Sequence, residues 1–395
     1  MAKLPAFLDM YRALIASPSV SCLNPEWDIS NKAVIDQLGQ WLTALGFEVQ
    51  IEALESQAGK YNLLARIGPA HLSGGLLLAG HTDTVPWDEG RWTRSPFELT
   101  EADNKLYGLG SADMKGFFAF VLEALRELDL SKLTKPLYIL ATADEETTMA
   151  GARELHRFAN LKPEYAIIGE PTNMVPVRMH KGHSTDCIRI TGRTGHSSDP
   201  AAGLNAIEVM HQVITEMMEL QQHFKDNFNE PAFKVPYPTL NFGHIHGGDA
   251  ANRICACCEL HMDMRPLPGM SIDLLDQLLH ARLGELQKRY PNAIAIEAMH
   301  PPIPGYACAA DATLVKLAER ISGHAAEPAN YCTEAPFVNQ LGCETIVMGP
   351  GSIAQAHQPD EFIRLDEIKP ALSQLKSIME NLCFNLKPNN AEPAQ

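Results

Sequence analysis

Short apolar runs in this chain lead straight into acids or imidazoles. LLLAGHTDTVP carries Leu76–Gly80 into His81 and Asp83, and PLYILATADEE ends at Asp144, Glu145 and Glu146. EYAIIGEPT ends at Glu170, and ETIVMGPGS is followed by His357. Runs of four to eight apolar residues bounded by turn residues read as strands buried on both faces. Helical patterns such as KGFFAFVLEALREL lie between them. This alternation predicts an α/β fold: a mixed, largely parallel sheet with helices on both faces. Ligands of such sheets gather beyond the carboxyl ends of the strands. One acid at a strand end is commonly a cap or a solvated turn residue. Several, together with Asp113 in GLGSADMKG, would converge on one edge. Clustered carboxylates repel each other and lose hydration, so that convergence requires a cation.

From about His183 the texture changes. HSTDCIRITGR alternates like a half-exposed strand, and AIEVMHQVITEMMELQQHF reads as a long amphipathic helix. Two further strand patterns, the helix SIDLLDQLLHARLGELQKRY and the strand AIAIEAMH follow. Two helices on an antiparallel sheet form an α+β module, expected over 184–300 and inserted into a larger domain of 1–183 and 301–395. The final NLKPNNAEPAQ reads as a frayed polar tail.

Charge and cysteine usage narrow the function classes. Asp and Glu total 48 against 32 Lys and Arg, a formal net charge of −16. Such a surface repels phosphate backbones, so nucleic acid is not an expected partner. No run of about 18 apolar residues indicates a membrane span. The N-terminal segment reads as an amphipathic helix and not as a signal peptide. Nine cysteines, an odd number without small-scaffold spacing, suggest reduced thiols and a cytoplasmic location. Cys255–Cys258, in CACC, is read as strand packing ahead of metal binding, with Cys255 and Cys257 sharing one face.

GHTDTVP, GLGSADMKGF, ADEE and GEPT resemble, in order and spacing, the M20 family of two-zinc aminoacylases and peptidases. The resemblance covers essentially the whole chain, insert included. It implies a zinc-exopeptidase-like fold with an inserted dimerisation or lid domain. It also implies two Zn2+, with Co2+ as a substitute; two imidazoles and three carboxylates suit zinc. Carried over residue by residue, His81 and Glu170 bind one metal, Glu146 and His357 bind the other, and Asp113 bridges them. Asp83 would hydrogen-bond His81 and fix its tautomer. Glu145 would be the general base, pointing away from its neighbour Glu146 if the backbone there is extended. The Asp113–Met114 peptide is cis in this family.

Within the insert, the family's pattern makes His196 an oxyanion-stabilising group delivered across a homodimer. Asn252 and Arg265 would bind the substrate carboxylate, for which Arg is suited by its paired donors. The chain departs from many relatives at Cys255, where they carry Pro. Gly351, in GPGS, offers backbone N–H groups to substrate or is a plain glycine turn. Glu334, in YCTEAPF, is an acid for a cationic substrate side chain or a turn residue.

The activity implied is hydrolysis of an N-acyl amino acid. Longer likenesses, among them KGHSTDCIRITGRTGHSSDP and RICACCELHMDMRPLPG, favour N2-acetyl-L-ornithine, cleaved to L-ornithine and acetate in arginine biosynthesis. N-succinyl-LL-diaminopimelate desuccinylation and a broader N-acyl-amino-acid deacylation are the alternatives. A non-catalytic metal-binding relative would have lost the base or a ligand, and none is missing.

Overall fold

Every residue of Leu76–His81 and Leu137–Thr142 is buried, so the sheet they build is covered on both faces. The computed structural model describes residues 4–69 and 71–384; the expected frayed tail, from residue 385 onward, lies outside them. The principal strands are β1 (Glu48–Ala53), β2 (Tyr61–Ile67), β3 (Leu76–His81), β4 (Leu137–Thr142), β5 (Tyr165–Pro171), β6 (Ser184–Thr191), β7 (Thr239–Gly247), β8 (Cys257–Arg265), β9 (Ile294–Ala298) and β10 (Glu344–Gly349). The principal helices are α1 (Phe7–Ile15), α2 (Lys32–Ala44), α3 (Gly116–Arg126), α4 (Ala206–Asn227), α5 (Ile272–Arg289), α6 (Thr313–Ser322) and α7 (Leu365–Cys383). Contacts divide the chain into two units. The first comprises Met1–Arg178, Cys308–Glu327 and Thr333–Gln395, and the second Met179–Ala307 and Pro328–Cys332.

In the first unit the strands run in the order β1-β2-β4-β3-β5-β10. β3 is parallel to both β4 and β5, and β10 is parallel to β5. β1 and β2 join antiparallel at the edge. The carboxyl ends of β3, β4, β5 and β10 therefore open on the same edge. Helix α2 lies against β1 and β2, α3 against β3, and α6 against β10. Glycines set how closely α3 approaches that edge. A Cβ at Gly80 would stand 2.4 Å from Met114, and one at Gly169 would stand 2.4 Å from the Phe117 ring. Bare backbone there lets the start of α3 press on the sheet directly beside His81 and Glu170. A small sheet of Thr100–Ala102, Lys105–Tyr107 and Phe362–Arg364 ties the segment before Asp113 to the segment after His357.

The second unit is an antiparallel sheet in the order β7-β8-β6-β9. Helices α4 and α5 pack on one face, where Ile188, Ile190, Leu260 and Met262 meet Val213, Met217, Leu279 and Leu283. Side chains start both helices: Asn205 accepts from Ile207 N–H and Ser271 from Leu274 N–H. The CACC segment packs as expected in part. Cys255 and Cys258 are in the core, whereas Cys257 is exposed. Cys255 and Cys257 do not share a face, because β8 begins only at Cys257 and the alternation of a strand does not reach back to Cys255.

Candidate metal centre

The end of β3 delivers His81, which is almost wholly buried. Its Nδ1 lies 3.0 Å from the Asp83 main-chain carbonyl oxygen, and its Nε2 3.1 Å from Asp113 Oδ1 and 3.9 Å from Glu170 Oε1. Nδ1–H donates to the carbonyl, which fixes the tautomer with Nε2 as the ligand atom facing the two carboxylates. Against burial, the hydrogen bond to Asp113 and the nearby acids hold the imidazole well above its ordinary range, so Nε2 carries a proton that a metal would displace. The group fixing that tautomer is the main chain of Asp83 and not its carboxylate, whose nearest oxygen is 3.6 Å from Nδ1. The carboxylate is engaged elsewhere. It accepts the backbone N–H groups of Glu145 and Glu146, each at 3.2 Å, and so lashes the end of β3 to the turn after β4.

That turn separates three consecutive acids by role. The backbone after Thr142 is not extended: Asp144 has φ 64° and Glu145–Thr148 form a turn. Alternation along a strand therefore does not explain how Glu145 and Glu146 diverge. Asp144 builds the turn itself, accepting from the Thr147 hydroxyl at 2.6 Å and from Thr148. Glu145 and Glu146 instead bring ligand atoms to within 4.8 Å of His81.

Two further triads form, with the same mutual separation. One is His81, Asp113 and Glu170; the other is Asp113, Glu146 and His357. They share Asp113, as a bridging ligand between two cations would require. His357, in the left-handed region at φ 60°, places Nε2 3.0 Å from Glu146 Oε2 and 3.7 Å from Asp113 Oδ2. Glu146 Oε1 is buried without a hydrogen-bond partner. A buried carboxylate oxygen with no hydrogen-bond partner, among acids and imidazoles, suits a cation, so the residues present fit a two-metal centre.

Electrostatics point the same way. Burial holds Glu145 well above the usual carboxylate range; Glu170, Glu146 and Glu334 push in the same direction, and His81 pulls against them. Glu170 and Glu146 are also raised, first by burial and then by Asp113, against the pull of His81. Asp113 alone of these four is lowered: burial pushes it up, but His81 and His357 outweigh that. The hydrogen bond to Glu146 pushes the His357 imidazole up to about 9, against burial. At neutral pH it then carries a proton that a metal must displace. Metal uptake is expected to release protons, and affinity to fall as pH falls below about 9. Titration calorimetry in buffers of different ionisation enthalpy checks this. His357→Ala should release fewer protons than the unaltered chain.

Glu361 escaped the reading of the sequence. It is buried, and its carboxylate accepts from Gly110, Ala112 and Asp113 N–H at 3.0, 2.6 and 2.9 Å. Those three bonds hold the loop that presents Asp113, whose peptide to Met114 is cis. The signal available was an acid four residues beyond His357, in HQPDEF. Glu361→Ala strands three buried donors at about 1–3 kcal/mol each, so a loss of at least ~3 kcal/mol is expected. Chemical denaturation checks the stability, and elemental analysis should show weaker metal retention.

The remaining expected residues scatter. Glu334 is completely buried in the first unit with neither carboxylate oxygen hydrogen-bonded. Burial pushes it up to about 7, against the nearby Thr142 hydroxyl and His81. Gly351 is buried at φ 84°, its carbonyl accepting from Asn173 N–H at 2.6 Å. His196, Asn252 and Arg265 belong to the second unit. His196 and Asn252 lie on adjoining exposed loops, where Ser197 N–H donates to the Asn252 carbonyl and His196 bridges to Arg253. The Arg265 guanidinium already donates to both oxygens of Asp263, at 2.9 and 3.0 Å.

The family model described as peptidase family M20/M25/M40 matches residues 77–381. The chain is 57% identical over 382 residues to acetylornithine deacetylase of Proteus mirabilis, covering 97% of this chain and 98% of that one. It is equally similar, over 384 residues, to acetylornithine deacetylase of Yersinia pestis, covering 96% and 98%. Among solved structures, an M20 metallo-carboxypeptidase of Sulfolobus solfataricus superposes with a TM-score of 0.76 at 19% identity, covering 95% and 99%. A dinuclear metal-binding M20 peptidase of Bacillus subtilis gives 0.66 at 13%, covering 95% and 97%. With a family model spanning the two triads and relatives matching it nearly end to end, this chain belongs to peptidase family M20/M25/M40.

Proposed function

We propose that the chain hydrolyses N2-acetyl-L-ornithine to L-ornithine and acetate. The observation that carries this is the pair of triads joined at Asp113, in a chain 57% identical to proteins named acetylornithine deacetylase. The triads supply a metal-dependent amidohydrolase, and the full-length similarity supplies the acyl amino acid. The desuccinylase alternative has no comparable support.

His81 and Glu170 would hold one divalent cation, Glu146 and His357 the other, with Asp113 between them. Zn2+ fits this donor set, and Co2+ shares its preferences. Bound there, the cations supply a polarising charge on the amide carbonyl and make an attacking water more acidic. Glu145 takes the proton from that water at its carboxylate and hands it to the leaving nitrogen. Its carboxylate stands with His81 and Glu146 at the centre yet belongs to neither triad built on Asp113, which leaves it free for that exchange. Asp83 holds Glu145 and Glu146 in register through their backbone N–H groups.

The second unit is proposed as the homodimerisation element. Exposed Ile207 and Met218 on α4 and Ile245 on β7 support it as an interface. His196, exposed beside Asn252, is proposed to donate to the developing oxyanion of a partner's site. Asn252, Arg265 and the Gly351 turn are proposed to bind the substrate's carboxylate end; Arg265 would have to exchange Asp263 for it. Glu334, with two unpaired oxygens, is the acid proposed for the substrate's δ-ammonium. A reducing compartment, the cytoplasm, suits the nine free thiols.

Metal-loaded protein assayed in parallel on N2-acetyl-L-ornithine, N-acetyl-L-methionine and N-succinyl-LL-diaminopimelate tests the reading. The highest kcat/KM is expected on acetylornithine. A higher value on the succinyl substrate would overturn it.

A further inference from the structure

The face of the second unit's sheet opposite α4 and α5 carries an unusual set of side chains. On β6, Ile188 and Ile190 point into the helix-covered core, which places Cys187 on the other face. Cys187 stands directly opposite His261 of β8 on one side and Glu297 of β9 on the other. His261 in turn stands opposite His244 of β7. One row across four strands therefore reads His244, His261, Cys187, Glu297. The next row on the same face brings His246 opposite Glu259, and Glu259 opposite Arg189.

These groups converge as well as align. Ligand atoms of Cys187, Glu259 and His261 all lie within 4.8 Å of one another. Glu259 divides its two oxygens: Oε1 accepts from Arg189 at 2.7 Å, while Oε2 lies 3.8 Å from His261 Nε2. The His244 ring is centred 4.8 Å from the His261 ring. Cys187 is buried, whereas Glu259 and His261 are about a quarter to a third exposed, so the cluster is open to solvent on one side. A plain solvated sheet face has no need for a thiol, a carboxylate and an imidazole within 4.8 Å of one another, with a second imidazole beside them.

We propose that this face binds one divalent cation of the zinc class through Cys187 Sγ, Glu259 Oε2 and the His261 imidazole, with His244 as the fourth ligand. Thiolate, imidazole and carboxylate in one tetrahedral set suit zinc, and cobalt shares that preference. Ligand atoms around a tetrahedral zinc stand roughly 3.3–3.8 Å apart, so Cys187, Glu259 and His261 close with side-chain shifts on the order of 1 Å, whereas His244 joins them by rotating about its side-chain torsions. Cys187 gives up its thiol proton to solvent as its sulfur ligates, and the cation replaces that proton. The site would cross-link β6, β7 and β8 and tie down the edge strand β7. It shares no residue with the two triads of the first unit, and only its cobalt count rests on their holding two ions.

Cobalt tests it, because the triads contain no thiol. Metal-free full-length protein is loaded with Co2+, freed of excess, and its cobalt counted by elemental analysis. Three cobalt ions per chain are expected, with a thiolate-to-cobalt charge-transfer absorption in the near ultraviolet. Cys187→Ser should remove that absorption and lower the count to two. His261→Ala should also lower the count to two. Both variants should keep unaltered kcat on acetylornithine, since neither residue belongs to the two triads. Two cobalt ions per chain and no charge-transfer band in the unaltered protein would overturn the proposal, and that measurement needs no variant to fold. A band that persists in Cys187→Ser would overturn the ligand assignment.

Discussion

Asp113→Ala is expected to empty both metal positions at once and abolish turnover. Asp113 belongs to both triads, with one oxygen 3.1 Å from His81 and the other 3.7 Å from His357. Losing a hydrogen-bond partner behind a ligand already costs 10–100-fold in metal affinity. Losing the shared ligand itself should cost more than ~10²-fold at both positions. The fold should survive, because removing one of several clustered carboxylates relieves repulsion. Circular dichroism should be unchanged while elemental analysis finds no tightly held metal. His357→Ala is the comparison: it should weaken one position and spare the other. Two metals retained per chain in Asp113→Ala would refute the shared-ligand arrangement.

Glu145→Gln is expected to lower kcat by ~10²–10⁴ with both metals in place and KM little changed. Glu145 neighbours His81 yet belongs to neither triad built on Asp113, so its carboxylate is free to carry a proton. Glutamine keeps the size and the backbone N–H that Asp83 accepts, but cannot take up the proton. Single-turnover kinetics should place the loss on the chemical step. A variant that loses metal, and regains full rate when metal is resupplied, would make Glu145 a ligand.

Much of the architecture was written in local pattern. β3, β4, β5 and β10 are legible because strands buried on both faces must be apolar throughout, and an apolar run must stop where the chain meets a polar site. The helices of the second unit are legible from their 3.6-residue period, and their starts from Asn205 and Ser271. The donors at strand ends are legible for a related reason: few contexts other than a cation make several acids tolerable together.

What sequence spacing could not decide is where side chains within one motif turn. Asp144, Glu145 and Glu146 are consecutive acids, and only the left-handed backbone at Asp144 makes the first a turn-builder and leaves the other two facing His81. Asp83 reads as a partner for His81, but its carboxylate is taken by the Glu145 and Glu146 N–H groups, which reach it only because β4 lies beside β3. Glu361 supports Asp113 from 248 residues away, and that pairing comes from the small sheet joining the two segments. Cys187 is far along the chain from Glu259 and His261 and meets them only through strand register, since a shift of one residue would turn it to the other face. Sequence by itself determined which segments become strands and which residue types gather at their ends, because burial and charge act on each segment locally. Tertiary structure alone decided which oxygen and which nitrogen meet, because those distances are set by strands that neighbour one another in space and not in sequence.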